Sequence, residues 1–370
     1  MHSVAVTIVG AGVVGLAIAH ALSELGKAQV VLLEKNEKFG QEVSSHNSEV
    51  VHCGMYYPTN SLKAKLCVEG RRLLYAFCDR HGVPYRKLGK LIVAIETDEV
   101  RRLEAFLQQG LANQVEGLSL LSEGEAKRLE PCVRAKAAIH SVETGIIDSH
   151  ALMKRLFNLC RDRHVMMAFS SSLSHIERVR GCYEIGVNGD NYRFQSRIVV
   201  NASGLGSDEV LKLIGLDPVA KGYKLFLVKG NYFAYHRPSP VSRLIYPLPH
   251  QDLKGLGVHA TLDLGGRLRF GPDVENVETI DYDVCVDRKQ SFHESAAKMI
   301  DGLDPEAFEP DMAGVRPKLA ASGFRDFVIQ HESDAGFPNL INLVGIESPG
   351  LTSALAIADE VKKMVKQLEA

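Results

Sequence analysis

The sequence predicts an α/β fold, in which a Rossmann-like nucleotide-binding unit is joined to a second, α+β unit built on a mostly antiparallel sheet. Three observations predict it. Residues 4–9 (VAVTIV) form an apolar run of strand length that passes through three glycines into helically spaced apolar residues. Two more apolar runs, residues 197–204 (RIVVNASG) and 340–344 (LINLV), have the unbroken character of strands buried on both faces of a parallel sheet. Residues 222–273, by contrast, are rich in β-branched and aromatic residues with turn punctuation at 237–240 and 264–266, the pattern of antiparallel pairing.

The first strand and its glycines lead into a helix over residues 13–25, and residues 29–33 make the second buried strand. A long polar, glycine-bearing segment follows over 35–60, a length that in a compact domain usually serves function. Leu62, Leu66, Leu73, Leu74 and Phe77 then fall at helical spacing, so a helix is predicted over 61–80. Short strand and helix signals with many charges occupy 84–145, and a further helix is predicted over 149–163. Strand-like runs come near 165–169, 174–179 and 183–187. Helical spacing resumes near 287–302. The chain closes with the 340–344 strand, a Ser-Pro-Gly turn and a helix over 350–368. At 370 residues two packed units are expected. We expect one nucleotide-binding domain assembled from residues 1–83, 146–220 and 320–370, and a substrate domain made of the insertions 84–145 and 221–319.

Composition narrows the class. With 45% hydrophobic and 24% charged residues and a formal net charge of −2, nothing suggests nucleic acid or a polyanion as partner. Seven cysteines are scattered and never spaced as C-x-x-C, which argues against a disulfide framework or a zinc site and for a reducing compartment. The apolar opening lacks the basic flank of a signal peptide, and no other stretch reaches the length of a transmembrane helix. The expected location is cytoplasmic, or peripheral at the inner face of a membrane.

Gly10, Gly12 and Gly15 form G-x-G-x-x-G directly after a strand and at the start of a helix. The first glycine permits the tight turn, the second lets a pyrophosphate approach backbone amides, and the third allows close helix packing. The helix N-terminus favours the phosphates. Glu34 ends the next strand 19 positions beyond Gly15, where an acid accepts both ribose hydroxyls and repels a 2′-phosphate. A dinucleotide other than NADP is therefore predicted. Pro349 and Gly350 open the last helix, whose free N–H groups suit the electron-rich side of a reduced flavin. That favours FAD over NAD.

These residues resemble a known family, the D-amino-acid oxidase-like FAD-dependent oxidoreductases. The resemblance runs through nearly the whole chain: the glycine motif with Glu34, VNASGLGSD (200–208), AGVRPKL (313–319), and the terminal glycine and helix, in that order. Within the family, SSHNSEVVHCGMYY (44–57), GLGVHAT (255–261) and ESPGLTSALAIA (347–358) look most like the L-2-hydroxyglutarate oxidase or dehydrogenase branch. The resemblance implies an FAD-binding domain of glutathione-reductase type and oxidation of a small L-2-hydroxy acid to the 2-oxo acid by hydride transfer to flavin. An amino-acid or secondary-amine oxidase on the same scaffold is the alternative, and an NAD-dependent dehydrogenase a more distant one. The electron acceptor would be oxygen or a quinone.

Flavin oxidation of a hydroxy acid needs a base for the hydroxyl proton and a cation for the carboxylate. Arg316 resembles the family's carboxylate-binding arginine, and its planar fork matches a carboxylate; the ordinary fate of an arginine is a surface ion pair. Lys318 is a second cation. His52 and His259 are the two candidate bases, because an imidazole titrates nearest working pH; which one takes the proton is open. Tyr57 and Tyr246 are candidate substrate ligands, with packing as the alternative. The expected cofactor set is Gly10, Gly12, Gly15, Glu34, Lys35, Ser44, Ser45, His46, Asn47, Ser48, Ser203, Gly204, Gly345, Pro349, Gly350, Leu351 and Thr352. No cysteine follows Cys285, so a cysteinyl flavin linkage near the C-terminal motif, as in the sarcosine-oxidase branch, is unsupported.

Overall fold

The computed structural model describes residues 2–26, 29–189, 192–249 and 257–369. Gly255 and Leu256, which begin the GLGVHAT stretch, lie outside them.

The predicted strand, turn and helix at the N-terminus are Ser3–Val9, the glycine turn and Val13–Ser23. Ser3–Val9 lies between Val30–Leu33 and Tyr192–Asn201 and runs parallel to both. Met166–Ala168 extends the parallel set beyond Val30–Leu33, and Leu340–Val344 joins it beside the end of Tyr192–Asn201. Strands from both ends of the chain thus share one sheet. It has eight strands among the described residues, completed by Val328–His331 and by the antiparallel pair Leu173–Val179 and Cys182–Val187. Helices Val13–Ser23, Leu62–His81, Ser149–Asp162 and Gly350–Glu369 pack over this sheet in one apolar cluster that includes Leu16, Leu74, Leu152 and Val361. Caps set where two of these helices begin: Ser61 accepts the Ala64 N–H, and Asp148 accepts the Ala151 N–H.

A second sheet, nine-stranded among the described residues, contains Lys90–Ala94, Leu118–Ser122, Ala137–Ser141, Phe226–Tyr235, Leu244–Pro247, His259–Leu262, Leu268–Gly271, Glu275–Val277 and Phe308–Lys318. Its pairing is antiparallel as expected, with one exception. Leu244–Pro247 runs parallel to Lys90–Ala94. A small third sheet joins Val50–Val51, Tyr85–Arg86 and Gly145–Ile147.

The helix predicted near 287–302 is shorter, a 3-10 turn at Val286–Arg288 leading into Lys289–Ala297. The chain leaves the helix because Ile300 forms a β-bridge with Val133, and the neighbouring backbone bonds Arg134 to Met299 and Asp301 to Cys132. Tertiary pairing overrides helical spacing there.

Candidate active site

A cavity of about 490 Å³ opens at the carboxyl ends of the parallel strands and runs between the two large sheets. Val9, Leu33 and Ala202, at or just beyond three strand ends, form its floor on one side; Gly230, Tyr232, Gly314 and Arg316 approach from the nine-stranded sheet. Ligands of open parallel sheets lie in this crevice because the connections on either side diverge there.

The glycine turn is sterically obligatory. Gly10 has φ +102°, and a Cβ there would lie 2.6 Å from the Ala202 carbonyl oxygen. At Gly15 a Cβ would lie 1.9 Å from the Gly10 oxygen, so the third glycine brings the helix onto its own turn. The Val13 N–H donates to Ser44 Oγ at 2.9 Å, which ties the helix start to the polar segment wrapped over it. Glu34 is buried, and its two carboxylate oxygens accept the N–H groups of Ala11 (2.8 Å) and Asn36 (2.9 Å), leaving further lone pairs for hydroxyl donors.

Of the expected cofactor ligands, Gly10, Gly12, Glu34, Lys35, Ser44, His46, Asn47, Ser48, Ser203, Gly204, Pro349, Gly350 and Leu351 line the cavity. Four stand behind its wall. Gly15 packs the helix; the Ser45 hydroxyl donates to the Gly40 carbonyl; Gly345 has φ +70° against Leu319; and the buried Thr352 Oγ1 accepts the His52 N–H at 3.0 Å. Thr352 therefore joins the last helix to the strand that carries His52. Lys35 is half exposed and paired with Glu42.

His52, His259, Arg316, Lys318 and Tyr57 meet along the cavity although the chain separates them widely. His52 Nε2 lies 3.3 Å from Ser348 Oγ, and its Nδ1 is buried without a partner. His259 Nδ1 donates to the Gly257 carbonyl at 2.9 Å, which leaves Nε2 as the lone-pair nitrogen. Burial, with Lys90 and His259 adding repulsion, pushes His52 down to about 3. Burial, aided by Lys90 and Arg316, takes His259 to about 3 as well. This corrects the expectation that either imidazole titrates near working pH. Desolvation penalises the imidazolium, and both rings are neutral across the physiological range.

Arg316 donates through Nε to the Val228 carbonyl (3.3 Å) and through Nη2 to those of Lys229 (3.5 Å) and Asp273 (3.2 Å). These bonds fix the guanidinium plane without using Nη1. Tyr246 stands behind the cavity wall, stacked on His259 with ring centres 3.8 Å apart. Sequence reasoning missed Lys63, buried and paired with Glu347 at 2.8 Å, as well as Ser348 and Lys90. The one available signal was a lysine inside the apolar run KLIVA.

The comparisons agree with this architecture. The family described as FAD dependent oxidoreductase matches residues 5–364. The chain belongs to that family. This oxidoreductase is 38% identical to "L-2-hydroxyglutarate dehydrogenase, mitochondrial" of Arabidopsis thaliana, a match covering 96% of this chain and 82% of the relative. Against the Homo sapiens protein of the same name it is 30% identical over 98% of this chain and 88% of the relative. Among solved structures, L-alpha-glycerophosphate oxidase from Mycoplasma pneumoniae with FAD bound superposes with a TM-score of 0.88 at 27% identity, covering 99% of this chain and 95% of that one. Glycine oxidase from Geobacillus kaustophilus shares the fold, with a TM-score of 0.80 at 20% identity over 99% of this chain and 95% of that chain.

The oxidoreductase's own residues fit its FAD cofactor. A Cβ at Gly10 or Gly15 would fill the turn, Gly12 lines the cavity at the helix start with no side-chain cap, and Glu34 presents buried acceptors beside that turn. At the opposite end of the chain Gly350 starts a helix with no acidic residue in its first turn, and Pro349, Gly350 and Leu351 at its start line the cavity.

Proposed function

We propose that this oxidoreductase converts a small L-2-hydroxy acid, L-2-hydroxyglutarate above all, to the 2-oxo acid. The observation that carries the reading is the meeting, on one cavity, of two neutral imidazoles with the cations Arg316, Lys318 and Lys63. The names of the relatives from Arabidopsis thaliana and Homo sapiens point to the same substrate.

FAD, when bound, supplies the acceptor for the hydride that leaves C2. The turn at Gly10, Gly12 and Gly15 and the helix start at Val13 would hold its pyrophosphate, Glu34 its ribose, and the start of the last helix its isoalloxazine ring. Arg316 holds the substrate carboxylate, with Nη1 left over from its backbone bonds, and so orients C2 in the cavity. His52 or His259 takes the hydroxyl proton, because a neutral imidazole with a free lone pair is present at each position. Lys318 and Lys63 flank the partly buried Glu347 and leave net positive charge for a second carboxylate.

The same proposal divides the chain into an FAD-binding domain (1–83, 146–220 and 320–370) and a substrate domain (84–145 and 221–319). Oxygen or a quinone would reoxidise the flavin. No described helix is long and apolar enough to cross a membrane. Seven free cysteines suit a reducing compartment, which supports a cytoplasmic location or the inner face of a membrane. Anaerobic mixing tests the substrate: L-2-hydroxyglutarate should bleach the flavin rapidly, and bleaching by glycine, D-alanine or sarcosine alone would replace this reading with an amine oxidase.

A further inference from the structure

One buried amine beside the site has no carboxylate partner. Lys90 begins the strand Lys90–Ala94, in which all five residues are buried, and its side chain is fully enclosed. Its ammonium lies 4.5 Å from the ring centre of Tyr56 and 4.6 Å from that of Tyr246, held between the two aromatic faces. Among the described residues it makes no hydrogen bond. The phenol oxygens of Tyr56 and Tyr246 and Nδ1 of His52 are likewise buried without partners. Buried polar groups are ordinarily satisfied, and a buried cation is ordinarily paired, so four such atoms together beside a substrate cavity call for a reason.

Their arrangement leads to the reacting end of the cavity. Tyr56 lines the cavity, and Tyr246 stacks on His259, which lines it too. The groups facing Lys90 are Cys53, Cys67 and the two phenols: burial lowers the proton affinity of Lys90, the two cysteines oppose that, and Lys90 in turn draws the Cys53 thiol down and acts on both His52 and His259, while Arg316 acts on His259. No carboxylate is among them. In a medium of low polarity a charge acts over several ångströms, so a protonated Lys90 makes this end of the cavity positive before any ligand enters.

We propose that Lys90 is a positioning residue: a buried cation that, acting through Tyr56 and the Tyr246–His259 stack, makes the site complete only with a dicarboxylate substrate rather than a monocarboxylate. The inference rests on the proposed oxidation of a 2-hydroxy acid. The substrate's negative charges compensate a field that no protein carboxylate compensates, and a dianion does so more fully than a monoanion. Burial keeps both imidazoles unprotonated in the free enzyme, as a base must be, and Lys90 adds to that effect.

The test compares the holoenzyme with Lys90→Met, which keeps the length and removes the charge, using L-2-hydroxyglutarate and L-2-hydroxybutyrate as substrates. The variant should raise KM for the dicarboxylate about tenfold and reduce the preference for it over the monocarboxylate by at least about threefold, with kcat less affected. The acid limb of its kcat/KM profile should move to higher pH, because the imidazoles no longer face a cation. An equal loss on both acids with an unchanged pH profile would reduce Lys90 to packing and overturn the inference. Should Lys90→Met fail to fold, Lys90→Gln serves the same comparison. The unmodified enzyme gives a check free of folding: its flavin spectrum should report tighter binding of glutarate than of butyrate, and equal affinities would sink the proposal. If neither hydroxy acid bleaches the flavin, the proposed oxidation fails. If L-2-hydroxyglutarate bleaches it while the preference survives loss of Lys90, only this inference fails.

Discussion

His52 and His259 are neutral because burial strips water from them and Lys90 repels a second proton charge. A bound dicarboxylate reverses that repulsion, so the proton affinity of the imidazoles should be higher in the complex than in the free enzyme. The expected outcome is a kcat/KM profile with no histidine limb above about pH 5, and a kcat limb at higher pH than the kcat/KM limb. A shared limb near 6.5 would contradict the buried environment. His52→Gln and His259→Gln assign the base: its loss should lower kcat roughly 10²- to 10⁴-fold, and losses under about tenfold in both would remove imidazole from the mechanism. Arg316→Ala should instead raise apparent KM roughly 10- to 100-fold with FAD retained, since it removes a charge-assisted hydrogen bond and not the cofactor site. Local motifs made much of this legible in the sequence. Gly10, Gly12 and Glu34 act through backbone close to themselves. The pairing of Lys63 with Glu347 was not legible, because it joins positions 284 apart and Lys63 sits in no motif.

At the level of elements, the strand, glycine turn and helix could be read directly, because Gly10 and Gly15 answer contacts with the adjoining strand end and within the turn, while Gly12 makes room for Ser44. Gly15 has the strictest requirement, its absent Cβ facing the Gly10 carbonyl. Gly15→Ala should therefore destabilise the protein by about 1–3 kcal/mol and lower its flavin content, as overpacking against backbone does. A thermal midpoint and an FAD-to-protein ratio matching the unmodified enzyme would refute the tight turn. Two element-level features escaped sequence reasoning for one reason, pairing between distant segments. Ile300 bridges to Val133 and cuts short the helix that apolar spacing extends to 302. The parallel pairing of Leu244–Pro247 with Lys90–Ala94 leaves no trace in either strand's composition, because both are buried.

Across the whole molecule, two sheets built from interleaved segments enclose one cavity, and enclosing it costs the protein the hydration of several ionisable groups. His20, pushed by burial to about 4, is partly buried beside Phe77, away from the cavity lining. His81 and His140 are also held below the unfolded value of about 6.5, but His20, His52 and His259 are the three pushed furthest. As pH falls below 6.5 the unfolded chain binds protons at these positions while the native state does not. Stability is therefore present in full above 6.5 and falls with pH until the native histidines also titrate, between about 4 and 3. Each histidine contributes a slope of about 1.4 kcal/mol per pH unit in that window. Urea unfolding with saturating FAD at pH 7, 6 and 5 should show steadily lower midpoints. His20→Leu, which leaves the cavity lining intact, should flatten the slope in part, since one of the proton-binding differences is gone. Stability that is flat from pH 7 to 5, or a slope indifferent to His20, would mean that these side chains are hydrated in the folded protein and that the packing around them is looser than the structure shows.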